Sequence, residues 1–182
     1  MTEKESIQRV TINVGYDKNN IFVYVIGEAT MLIASTLKKF VFDIIHKISG
    51  DSEHNIYINL SDCKYMDSTF IGTLIIIERR CVDILNKHII LSSPNDYSME
   101  VLGQMGLLKI FTIIQEPVVY DKLNMWQLEM KDMDRLENAI LMFQAHEQLS
   151  EVSEENRKQF SLVTQTLKEE IEKEKQKRNQ SQ

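Results

Sequence analysis

Along the first two thirds of the chain, the spacing of apolar residues switches between two and three-to-four. Val10–Val14 alternates apolar and polar side chains, the period of an edge strand. Gly15–Asn20 is turn-rich. Ile21–Ile26 is β-branched and aromatic, which predicts a second strand paired with the first and ended by Gly27. From Thr30 to Ile48 apolar residues recur every three or four positions, the stripe of an amphipathic helix, and Ser49-Gly50-Asp51 stops it. Asn55–Leu60 reads as a central strand. Ile71–Leu85 contains three consecutive isoleucines, which favour a strand locally. Its length and its Ile71, Leu74, Ile75, Glu78, Val82, Leu85 period predict a helix instead. A fourth strand is expected at His88–Leu91, a helix carrying Met99, Leu102 and Met105 up to Gly106, and a closing strand at Ile110–Ile114. Strands alternating with helices predict an α/β domain over residues 8–120.

The pattern then changes. After Asn124 there is neither glycine nor proline. Met133, Leu136, Ile140 and Phe143 form one helical stripe; Met142, His146, Leu149, Phe160, Val163, Leu167 and Ile171 form another. A helical extension over 124–178 is expected, broken near Ser150–Glu155 and frayed from Lys173 onward.

Composition narrows the function. Net charge is −6 with no basic cluster, so a nucleic-acid partner is not expected. Cys63 and Cys81 form no metal-binding pair, and the four histidines are scattered. Neither a metal nor another cofactor is expected. The N-terminal ten residues have no apolar stretch, and no apolar run approaches the length that spans a bilayer. The expectation is a cytoplasmic protein with no membrane partner. No glycine-rich phosphate loop and no G-x-S-x-G elbow is present, so the chain is not expected to be an enzyme.

One stretch remains, YMDSTFIGT at Tyr65–Thr73. Asp67 or Ser68 suits a helix N-cap, and Gly72 suits close packing of the helix against the sheet. Asp62 and Asp67 are near enough in sequence to be paired carboxylates, although caps or solvated groups are the plainer reading. Cys63 reads as a small buried residue. The residues alone leave open whether the hydroxyls only cap or also carry a signal.

The stretch IFVYVIGEA, the stretch INLSDCKYMDSTFIGTL and the stretch SMEVLGQMGLLKIF together resemble a STAS domain, the family of bacterial anti-sigma-factor antagonists. The resemblance covers about Gln8 to Ile114. It implies a STAS-like small mixed sheet with helices mainly on one face, to which the C-terminal helical extension is added. It also implies partner switching: binding to a switch serine kinase that doubles as an anti-sigma factor, phosphorylation by that kinase, and reversal by a serine phosphatase. The implied phosphoacceptor is Ser68, with Thr69 a weaker alternative. Asp67, Ser68, Thr69, Phe70, Gly27 and Glu28 are the implied partner-binding residues. Phe70 stands where the family has glycine, and Thr30 where an aspartate is common. The alternative is a non-phosphorylated interaction module that forms a homodimer or docks through its C-terminal helices.

Overall fold

The computed structural model describes residues 10–17, 19–49, 53–116, 124–130 and 132–180. The expected domain limits at Gln8 and Tyr120, and Gly50 and Asp51 of the first helix stop, lie outside them. Six strands form one mixed sheet: β1 (Thr11–Tyr16), β2 (Asn20–Ala29), β3 (Asn55–Met66), β4 (Ile90–Ser92), β5 (Thr112–Ile114) and β6 (Trp126–Gln127), in the order β5-β4-β3-β2-β1-β6. β1 is antiparallel to β2 and β6, while β2 through β5 run parallel. Their connections are α1 (Met31–Lys47), α2 (Ser68–Leu85) and α3 (Asp96–Gln104). Successive parallel strands step in one direction across the sheet. Right-handed crossovers therefore lay all three helices on the same face. Ile12, Val14, Val23, Val25, Ile58, Leu60 and Leu91 come from the strands into the core beneath them.

Several boundaries differ from the sequence reading: β1 runs on through Gly15 and Tyr16 of the expected turn, β4 is Ile90–Ser92 rather than His88–Leu91, and β5 begins at Thr112 rather than Ile110. β2 does not stop at Gly27. That residue takes φ 87°, which glycine adopts without strain, and the β2–β3 register shifts between Gly27 and Glu28. The strand kinks and continues. β3 likewise runs beyond Leu60 to Met66, because the end of β2 still pairs with it through Gly27↔Cys63, Glu28↔Tyr65 and Ala29↔Met66. β6 is a two-residue strand that no apolar alternation announces; it covers the edge of β1, which is thus not an edge strand.

The extension forms a helical hairpin of α4 (Arg135–Ser150) and α5 (Glu154–Gln180). Asp134 and Glu137 make a capping box at the start of α4. The expected break falls at 151–153, where Ser153 Oγ accepts from the Asn156 N–H at 3.1 Å. α5 does not fray at Lys173 but stays helical to Gln180. Its charged end is tied back by Arg135–Glu170 (2.8 Å) and Arg178–Asp134 (2.7 Å), around a small cluster of Leu136, Ala139 and Ile171. The near end of the hairpin behaves differently: Leu141, Leu149 and Phe160 belong to the main core.

Candidate functional site

Asp67 leaves β3 in extended conformation and becomes the N-cap of α2. One carboxylate oxygen accepts the Phe70 N–H at 2.7 Å; the other accepts the Met31 N–H at 2.8 Å. Met31 opens α1, whose own cap residue Thr30 makes no side-chain cap bond. A single carboxylate therefore satisfies orphan donors of two helices, at the end where the helix dipole favours negative charge. Asp62 is not paired with it; its carboxylate receives the Tyr24 hydroxyl on the sheet.

Ser68 is the first residue of α2 and is partly exposed. Its Oγ lies 2.8 Å from Nε2 of His146, on α4. His146 Nδ1 lies 2.7 Å from the Met142 carbonyl. A carbonyl only accepts, so Nδ1 carries the proton, Nε2 of the neutral ring accepts, and Ser68 donates. The imidazole is 5% exposed and packs against Phe160 at 5.4 Å between ring centroids. Sequence spacing identified His146 as a stripe residue. Its pairing with a serine 78 positions away was not legible there.

Gly72 explains why α4 comes so close. A Cβ built on it would stand 2.3 Å from the carbonyl oxygen of Ala145 and 2.7 Å from its Cα. The glycine was expected to pack α2 against the sheet; it packs α2 against α4, backbone to backbone. Further along the same side of α2, Arg79 pairs with Glu151 at 2.6 Å. At the far end of this contact, buried Asn156 donates to the carbonyls of Met105 and Leu149, both at 3.1 Å.

Thr69 and Phe70, expected at the docking surface, are inside: Thr69 is 3% exposed and Phe70 fully buried. Phe70 fills the core. Gly27 is buried, whereas Glu28, Asp62 and Tyr65 are exposed along the adjoining strand ends. Tyr65 stacks beside Tyr97, whose hydroxyl accepts the Met66 N–H at 3.2 Å. Asn95, the N-cap of α3, donates to the Cys63 carbonyl at 2.7 Å and so braces the strand that delivers Asp67. Burial raises the Cys63 thiol to about 11 and the Cys81 thiol to about 12, so both stay protonated at neutral pH.

Among the described residues, no group of three or more His, Cys, Asp or Glu is arranged to hold a metal ion. No helix among them is long and apolar enough to cross a membrane. A groove of about 780 Å³ lies elsewhere, between α1 and α4, lined in part by Phe40, Phe42, Met133 and Ile140. Lys38 stands at it with Nζ 2.8 Å from Gln144 Oε1, and burial lowers its pKa.

No family model matches the chain, and no curated protein matches it. Solved structures do. One is a Thermotoga maritima protein assigned provisionally as an anti-sigma factor antagonist: 26% identity over 55% of this chain and 82% of the other, TM-score 0.48. An NMR structure of the protein TM1081 matches at 25% identity over 56% and 78%, TM-score 0.49. A Moorella thermoacetica RsbS variant with a serine-to-glutamate substitution matches at 19% identity over 57% and 86%, TM-score 0.43.

Proposed function

We propose that the chain is a partner-switching regulator of the anti-sigma-factor-antagonist kind, controlled by reversible phosphorylation of Ser68. Its partners on this reading are a switch serine kinase that doubles as an anti-sigma factor, and a serine phosphatase. The observation that carries the reading is the placement of Ser68. It follows a capping aspartate, opens α2, and stands at the C-terminal ends of the parallel strands beside exposed Glu28, Asp62 and Tyr65. Burial of Thr69 supports Ser68 over its neighbour.

Phosphoryl transfer from a nucleoside triphosphate forms an Oγ–P bond, releases the diphosphate and passes the hydroxyl proton to the kinase's base. The product adds about −1.5 to −2 charges beside Asp67. Free N–H groups of the first turn of α2 suit that charge. An acidic or apolar partner surface does not.

The test is intact mass after incubation with candidate kinases and nucleoside triphosphate, together with partner capture. One added phosphate is expected, absent in Ser68→Ala, and Ser68→Asp should bind the kinase more weakly than the parent chain. The Ser68–His146 bond favours a second reading, an interaction module in which this hydroxyl is purely structural. An unmodified mass with equal binding by both variants would select that reading.

A further inference from the structure

We propose that α4 is an intramolecular occupant of the Ser68 face of α2, and that its docking and phosphorylation of Ser68 exclude each other. The part concerning phosphate rests on the function proposed above; the part concerning α4 does not. Beside the core burial of Leu141, Leu149 and Phe160, three contacts set α4 against this face: Ser68 to His146, Gly72 to Ala145, and Arg79 to Glu151. With Ser68 in this rotamer, the first leaves no room for a phosphoryl group on the His146 side. With 2.8 Å between Oγ and Nε2, the space holds one proton, whereas a phosphoryl group brings a phosphorus and three oxygens. His146 cannot turn aside in place. Its Nδ1–H is held by the Met142 carbonyl and its ring lies against Phe160.

Nor can α4 make room by moving nearer to α2, since there is not even space for a Cβ between Gly72 and the Ala145 backbone. The movement that admits a phosphate therefore lifts α4 from α2. Transfer of the phosphoryl group from a nucleoside triphosphate, with departure of the diphosphate and loss of the hydroxyl proton to the kinase, must catch the lifted state. Once formed, phosphoserine holds the lifted state open. Ser68 is thereby offered for modification only when α4 is away, whereas Glu28, Asp62 and Tyr65 on the strand ends are exposed with α4 docked.

The experiment is hydrogen–deuterium exchange on the full chain in four forms: parent, Gly72→Leu, Ala145→Leu, and phosphoserine installed at position 68 without any kinase. In the three altered forms, amides of α4 should exchange at least tenfold faster than in the parent, with β2 and β3 unchanged. Ala145→Leu acts from the α4 side and covers the case in which Gly72→Leu fails to fold. Parent-like protection of α4 in Ala145→Leu would overturn the docking. Parent-like protection in the phosphoserine form, with the phosphate held under a protonated His146, would overturn the exclusion. Failure of every candidate kinase to modify a chain whose α4 lifts in both leucine variants would count against the proposed function and leave the docking supported.

Discussion

The two sides of α2 are built from different mixtures of material. Phe70, Leu74, Ile77 and Cys81, spaced four, three and four, are all buried and form an apolar ridge opposite α4. Ser68, Gly72, Ile75 and Arg79 share the stripe that meets α4: a hydroxyl, a bare backbone and a guanidinium make the polar and close contacts, with buried Ile75 among them. Burial of large side chains on the first side is worth about 1.5–3 kcal/mol each. A net hydrogen bond of the second kind is worth about 1 kcal/mol, and an exposed ion pair less. One side fixes the fold; the other is contact by close fit. Helix α4 is held more by the burial of its own Leu141 and Leu149, and of Phe160 on α5, than by the groups that meet Ser68.

That contrast can be tested from its strongest side downward. Phe70→Ala should cost about 3–5 kcal/mol in urea unfolding, as a large core cavity does, and should lower protection everywhere. Gly72→Ala should come next. Alanine is the better helix former by about 1 kcal/mol, yet the new methyl meets backbone atoms that have no rotamer to escape into. A net loss of about 1–3 kcal/mol is expected, with the exchange change concentrated in α4; a net gain would mean that α4 does not sit where it is described.

Asp67→Ala removes two caps, so about 2 kcal/mol should be lost, roughly double an ordinary cap substitution. Faster exchange at both Met31 and Phe70 would identify the shared carboxylate as the cause. Ser68→Ala should cost about 1 kcal/mol, and a double-mutant cycle with His146→Ala should recover coupling of that size. Arg79→Ala should be the mildest, about 0.5 kcal/mol or less, and should vanish at high salt because both partners are half exposed. An effect as large as that of Gly72→Ala would erase the distinction between the contacts on this side.

The sequence was most readable where one local rule decided the outcome. The change of period separates α1 from its strands, and the Ile71–Leu85 period outvotes the three isoleucines. Ile75 and Ile77 both lie in the core, and Ile76 is half-exposed. The Asp67 cap was equally visible, since Asp before a helical stripe has one common use. Long-range fit was not. Gly72 announces close approach but not to what, and Ala145 lies far along the chain. The polar stretch after Leu60 resembles a loop because β4 is too short to flank it; only pairing with the kinked end of β2 makes it strand. β6 has two residues and no pattern of its own.

The shared carboxylate also sets an order of events during synthesis. α1 is complete in the chain long before Asp67 has been added, yet its first N–H is satisfied by that residue, 36 positions downstream. Until β3 has lain down beside β2 and carried Asp67 to the end of the sheet, α1 begins with an open turn. The first N–H of α1 therefore gains its protein acceptor only with the residue that caps α2.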